Sequence, residues 1–243
     1  MTNVVSQQSL WRNKMLILAI DTSANTATCA LSRDGRLLAL YTVNGLLTHS
    51  ETMLPMIENM LSKAALTIDD VDAFAVSEGP GSFTGVRIGV SLIKGLAFDK
   101  NKPCIGVSTL DALAKNLDGI GGYAVPVMDA RREQVYTAVF CDGEHLTEDM
   151  LVPLSELRDK LCELGVTDIR LCGDGYDVAK KYFATTTVNV IDTPALLIPQ
   201  NAFSVALVAE EQLSGAKSDR ELTARYLRAS QAEREREEKL KAN

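Results

Sequence analysis

The sequence predicts an α/β protein of two lobes, each built on a β-β-β-α-β-α unit. Three observations predict it. Short apolar runs alternate with segments of helical periodicity along most of the 243 residues. Two apolar strands end in an aspartate, Asp21 and Asp129, and two later strands break into glycine turns, Gly79-Pro80-Gly81 and Gly173-Asp174-Gly175, that open helices. The order strand-Asp, helix, strand-glycine turn, helix thus occurs twice, and we read an internal duplication. The lobes are set at 15–107 and 108–217, between an extension over 1–14, expected to be flexible, and a charged tail over 218–243.

In chain order, Leu16 to Ile20 reads as a buried strand, Asp21 to Asn25 as a polar turn and Thr26 to Ser32 as a second strand. Arg33-Asp34-Gly35-Arg36 carries the Asp-Gly signature of a hairpin and leads into a third strand, Leu37 to Val43. A helix is expected from about Ser50 to Ala65, with Met53, Ile57 and Met60 on one face and Glu58, Asn59 and Lys63 on the other. Pro55 sits near its first turn, where a lost amide hydrogen bond does least damage. A strand at Ala73 to Val76, a helix at Phe83 to Phe98 and a strand at Cys104 to Val107 complete the first lobe. The second lobe reads as strands at Tyr123 to Met128 and Gln134 to Cys141, a hairpin signal at Asp142-Gly143, and a helix at Ser155 to Leu164. Then come a strand at Ile169 to Cys172, a helix to about Phe183, a strand at Val188 to Ile191 and a helix at Asn201 to Leu213.

The strongest local signal is the turn of Gly79, Gly81, Gly85 and Gly89. It is no P-loop, because Thr84-Gly85-Val86-Arg87 stands where Gly-Lys-Ser/Thr is needed. Its G-x-G-x-x-x-G spacing is wrong for a dinucleotide loop. Two readings stay open. The loop amides contact a ligand at the helix start, or Gly81, Gly85 and Gly89 leave a flat strip against which another helix lies close.

Composition removes several classes of function. No run approaches the roughly 18 apolar residues of a membrane helix, and the segment before Met15 lacks the apolar centre of a secretory signal. The five cysteines, Cys29, Cys104, Cys141, Cys162 and Cys172, are odd in number and form no Cys-x-x-Cys pair, as expected of reduced thiols in a cytoplasmic protein. His49 and His145 are the only histidines and stand far apart, so no metal site is expected. A net charge of −7 argues against gripping nucleic acid alone. Glutamates interleave with Arg225, Arg228, Arg234 and Arg236 and weaken the one basic stretch.

Five pieces of sequence taken together carry a resemblance: Ile20-Asp21-Thr22-Ser23, His49-Ser50-Glu51, Gly79 to Gly89, Met128-Asp129-Ala130-Arg131-Arg132 and Tyr226-Leu227-Arg228. Over about Met15 to Arg228 the chain resembles the TsaB family, bacterial subunits of threonylcarbamoyladenosine biosynthesis. The run Gly-Pro-Gly-Ser-Phe-Thr-Gly with its Arg-x-Gly continuation is the specific piece. The resemblance implies an actin/Hsp70-like (ribonuclease H-like) fold of two duplicated lobes. It also implies a paralogous partner, TsaD, that holds the catalytic centre, together with the small ATPase TsaE. Their joint reaction transfers a threonylcarbamoyl group from its adenylate to the adenosine 3′ of the anticodon in tRNA.

In such a fold a nucleotide lies between the lobes, strand-end aspartates hold a metal, and glycine-rich hairpins let phosphates approach the backbone. Here the first hairpin, Asp21 to Thr26, has no glycine, and Asp129 to Glu133 puts side chains where the resemblance implies Asp-x-Gly. Asp21, Thr22, Ser23 and Asp129 therefore mark degenerate nucleotide-cleft positions, and no cofactor is expected. The histidine pair that binds metal in the catalytic paralogue corresponds to His49 followed by Met53, which cannot make that site. Ser82 is not in a G-x-S-x-G elbow, so no catalytic residue is assigned. The expectation is a scaffold whose first-lobe helices pack against TsaD through Met53, Met56, Ile57, Met60, Val86, Val90 and Ile93. It forms a homodimer through the same face when alone. The alternative is a stand-alone nucleotide-dependent transferase or kinase, with a peptidase as a third reading.

Overall fold

The computed structural model describes residues 14–45, 47–131 and 133–228. The first lobe holds β1 (Leu16–Asp21), β2 (Ala27–Arg33), β3 (Arg36–Val43), α1 (His49–Lys63), β4 (Ala73–Gly79), α2 (Phe83–Ala97) and β5 (Cys104–Ser108), followed by α3 (Thr109–Lys115). The second holds β6 (Tyr123–Asp129), β7 (Gln134–Thr137), β8 (Phe140–Cys141), β9 (Glu144–His145), β10 (Met150–Pro153), α4 (Leu154–Glu163), β11 (Asp168–Cys172), α5 (Tyr176–Phe183) and β12 (Asn189–Ile191). The last helix is α6 (Ala202–Glu211).

The sheets run β3-β2-β1-β4-β5 and β10-β7-β6-β11-β12, with β8 and β9 branching off β6. Both begin with a strand that is antiparallel to its hairpin neighbour and parallel to the next strand in the sheet: β1 to β2 and β4, β6 to β7 and β11. The duplication read from the two aspartates and two glycine turns is therefore present in the strand order. Local chemistry explains the joints. The β2–β3 hairpin turns on Asp34 and Gly35, both at positive φ (46° and 67°) as an Asp-Gly turn requires. Helix α1 starts at Thr48, whose backbone N–H donates to the Glu51 carboxylate at 3.1 Å.

Strand β1 is buried along its whole length, so its two faces need two covers. Leu16, Leu18 and Ile20 pack with Met53, Met60, Val86 and Ile93 of α1 and α2. Ile17 and Ala19 point the other way, into a cluster with Ala75, Val107, Val205 and Ala209. Val205 and Ala209 belong to α6, which was expected in the second lobe. The chain thus returns to cap the first sheet, and the expected boundary at 107/108 does not separate the packing units. A second core of Val125, Leu157, Leu161, Leu171 and Phe183 fills the other lobe.

The tail expected from 218 also departs from a solvated run. Lys217 and Cys104 exchange both backbone hydrogen bonds at 2.8 Å. Leu222 is fully buried in the first-lobe core, and the Arg225 N–H donates to the Glu78 carbonyl at 2.6 Å. Residues 216–228 form a strap along the open flank of β5 and α2. Residues 1–13 of the expected extension, Arg132, and Arg234 and Arg236 of the tail lie outside the described residues. Among the described residues no helix is long and apolar enough to cross a membrane.

Candidate functional site

Strands β1 and β4 are parallel neighbours, so the turns that follow them rise at the same sheet edge. The glycine strip backs directly onto the β1 turn. A Cβ added at Gly81 would stand 2.5 Å from the Ser23 carbonyl oxygen, and one at Gly85 or Gly89 would overlap the Thr22 carbonyl or hydroxyl. The Ser82 N–H donates to the Ser23 carbonyl at 2.7 Å, and Thr22 Oγ1 donates to the Gly85 carbonyl at 2.7 Å. Close approach is thus real, but the partner is this chain's own turn and not another helix. Gly79 sits at φ +117°, where a side chain would be strained and would meet the Arg225 carbonyl.

The four expected cleft positions, Asp21, Thr22, Ser23 and Asp129, separate into two kinds. Asp21 is 1% exposed and points into the β1–β4 seam. Its Oδ1 accepts from the Ser23 N–H and hydroxyl at 2.8 and 2.7 Å, and its Oδ2 from the Ser77 hydroxyl at 2.5 Å. Burial pushes its pKa up against these hydrogen bonds. Thr22 and Ser23 are buried beside it. Asp129, on the opposite lobe, faces the cleft, with Oδ1 accepting from the Arg131 N–H at 2.8 Å and Oδ2 3.5 Å from Arg131 Nη1. His49 ties α1 to the β1 turn by donating from Nε2 to the Ala24 carbonyl at 2.6 Å.

Sequence reasoning read Asp174 only as a turn residue. The Gly173-Asp174-Gly175 turn brings it to the cleft, where its Oδ1 accepts from the Asp129 N–H at 3.3 Å. The surrounding protein, and then the adjacent Asp129 charge, push it up to about 6, although the residue keeps contact with solvent. The folded state therefore keeps a proton that the unfolded chain loses near pH 3.8. This favours folding below that pH and is lost as pH rises through about 6. Solvent screening keeps the contribution below about 1 kcal/mol. Asp174→Asn is expected to flatten the melting temperature between about pH 4 and 7. A wild-type carboxyl NMR titration with its midpoint near 4 would count against this assignment.

The cleft between the lobes is a cavity of about 460 Å³ lined by Ser23, His49, Ser82, Asp129, Asp174 and Arg228. The strap closes one end. Arg228 Nη1 donates to the Ala130 carbonyl at 3.2 Å, and Arg225 pairs with Asp149 of the second lobe at 2.9 Å.

The seven helix residues expected at a partner interface, Met53, Met56, Ile57, Met60, Val86, Val90 and Ile93, are all buried in the first lobe's own core. They do not form an exposed strip, because the face they share is the one that covers β1 and β4. Between α1 and α2 on the outer side lies an open groove of about 590 Å³ lined by Ser50, Leu54, Phe83, Arg87, Ile88 and Leu92. Leu54 is 41% exposed there. The Arg87 guanidinium lies 4.0 Å over the Phe83 ring, and its Nε donates to the Tyr226 hydroxyl at 2.9 Å. The signal for this face was the width of the apolar arc: Leu54 follows Met53, and Ile88 falls between Val86 and Val90.

Two lobes of equal strand order, with paired strand-end turns facing each other across a cleft, define the two-lobed actin-like fold class. The family model described as TsaD, tRNA N6-adenosine threonylcarbamoyltransferase, matches residues 47–233. The chain belongs to this family and, within it, to the TsaB proteins. The tRNA threonylcarbamoyladenosine biosynthesis protein TsaB of Bacillus subtilis is 41% identical over 137 residues, covering 56% of this chain and 60% of that protein. The match thus spans less than two thirds of that relative's length. The TsaB of Buchnera aphidicola is 30% identical over 173 residues, 68% of this chain and 81% of that protein. YeaZ from Pseudomonas aeruginosa superposes with a TM-score of 0.71 at 25% identity, covering 88% of this chain and 100% of that one.

The class implies a nucleotide and its metal at the strand ends, and the residues do not fit them. Both Asp21 oxygens are engaged inside the sheet, and the Ser82 amide is spent on Ser23.

Proposed function

We propose that this chain is a non-catalytic scaffold that binds TsaD and supports transfer of a threonylcarbamoyl group to the adenosine 3′ of the anticodon in tRNA. It works in the cytoplasm, with TsaE joining the larger complex. The observation that carries the reading is the groove between α1 and α2, where Leu54, Ile88 and Leu92 leave apolar surface uncovered beside the anchored Phe83–Arg87 pair. A paralogue of the same fold presents an equivalent helix pair, so the groove suits a paired-helix interface. The names of the relatives support the pathway, and the engaged Asp21 supports the absence of chemistry in this chain. A net charge of −7 favours tRNA contact through the complex. In the free protein the same groove pairs two copies.

Leu54→Glu combined with Ile88→Glu tests this. Two buried charges at the centre of the interface are expected to weaken TsaD binding at least ~100-fold, with the homodimer dissociating in light scattering. The melting temperature should hold, because neither Leu54 nor Ile88 belongs to a core cluster. Persistence of both dimers would overturn the docking face. Micromolar binding of ATP by this chain alone would favour the stand-alone transferase instead.

A further inference from the structure

A second group of chemically capable side chains lies where the lobes meet: Asp111 on α3, His145 on β9, and Asp149 just before β10. One donor atom from each, a ring nitrogen of His145 and a carboxylate oxygen from each aspartate, lies within 4.8 Å of the others. We propose that these three residues bind a divalent first-row transition-metal ion of the Zn²⁺ or Mn²⁺ type at the seam between the lobes.

Hydrogen-bond accounting around the imidazole is the first support. His145 Nδ1 is 3.0 Å from the Thr147 carbonyl, which can only accept, so Nδ1 carries the ring hydrogen. That leaves a lone pair on Nε2 of the neutral ring. Nε2 is 2.9 Å from Asp111 Oδ1, which as a carboxylate is also only an acceptor. The ring therefore faces two acceptors with one hydrogen, and the second contact calls for an added proton or a metal ion. A metal ion uses the tautomer already in place. An Nδ1–H held by a backbone carbonyl is the outer bond that orients most metal-binding histidines. The Phe140 ring, 4.1 Å from the imidazole centroid, fixes its plane.

Asp149 gives the second, independent support. Its side chain is only 3% exposed. Oδ2 takes the Ser108 hydroxyl at 3.0 Å and Arg225 Nη1 at 2.9 Å, while Oδ1 is buried and takes no hydrogen bond from the protein. A buried carboxylate oxygen without a donor is costly unless a cation supplies the missing partner. Arg225 can keep its place on Oδ2 while the ion uses Oδ1.

The donor set chooses the metal. Bonds of about 2.1 Å put neighbouring ligand atoms about 3.0–3.4 Å apart, in keeping with the Asp111–His145 contact. One imidazole nitrogen with two carboxylates suits zinc or manganese, whereas magnesium and calcium favour all-oxygen shells. The sequence hid the set because its members stand at 111, 145 and 149 and share no motif spacing.

Untagged full-length chain stripped with chelator and titrated with Zn²⁺, Mn²⁺ and Mg²⁺ in separate calorimetric runs is the test. Zinc and manganese are expected to bind one ion per chain and, at about 100 times Kd, to raise the melting temperature by roughly 5–10 °C. Magnesium should do neither. His145→Gln and the isosteric Asp111→Asn should each weaken binding at least ~100-fold while the metal-free melting temperature stays within a few degrees. Should one variant fail to fold, the other decides. No stoichiometric binding tighter than about 1 mM, or undiminished binding by a folded variant, would overturn the site.

Discussion

Gly85→Ala is expected to destabilise the protein by about 3 kcal/mol, and Gly95→Ala on the same helix to stabilise it by about 0.5–1 kcal/mol. Alanine gains helix propensity at both positions, so propensity alone predicts two stabilising changes. The surroundings differ. Nothing lies within 4 Å of a Cβ at Gly95, whereas at Gly85 it overlaps the Thr22 carbonyl and crowds the Ser82 side chain at 3.3 Å. A backbone oxygen at the end of a buried strand cannot swing aside, so α2 must move away from β1. That movement breaks the Thr22 hydroxyl bond to the Gly85 carbonyl, worth about 1 kcal/mol, and opens the contact of Val86 and Val90 with the core. Urea denaturation of the two variants checks the contrast. If both shift the same way, α2 does not depend on close approach to β1. Because no ligand enters the experiment, a large Gly85 effect also separates packing from the reading in which the loop amides serve a ligand.

The parts of the fold legible in the sequence are those set by local chemistry. The Asp34-Gly35 hairpin needs positive φ, and the breaks at Asp21, Gly79, Asp129 and Gly173 mark where buried strands leave the sheets. Those matched breaks mark the duplication without reference to any long-range contact. Periodicity is weaker evidence for function, because it identifies an apolar face without saying what covers it. Met53, Ile57 and Val90 formed the clearest stripe, and the sheet of the same lobe claims it. The more exposed positions, Leu54 and Ile88, flank that stripe and look less regular. Contacts across the chain left no local mark at all. Alternation along α6 cannot show that Val205 meets Ile17, and Leu222 amid charged neighbours gives no sign that it completes the first-lobe core. Asp174 was equally hidden, since its environment is made by Asp129 across 45 residues.

The strap carries the second large expectation. Arg225→Ala, measured in chelator, is expected to cost about 3 kcal/mol, and adding Asp149→Asn to recover most of that loss. Arg225 joins the strap to two other parts of the molecule: its N–H holds the end of β4 at Glu78, and its guanidinium meets the Asp149 carboxylate of the second lobe at 2.9 Å. Without the guanidinium, that nearly buried carboxylate keeps only the Ser108 hydroxyl, with Asp111 close by as a like charge. The cost is that of an uncompensated buried charge, so neutralising Asp149 removes its cause. A double-mutant cycle by urea denaturation reads the coupling, and simple addition of the two single losses would refute it. The neighbouring Tyr226 accepts from Arg87 on the rim of the α1–α2 groove. A released strap should therefore also raise hydrogen exchange along the start of α2, and the lobe seam and the docking face should loosen together.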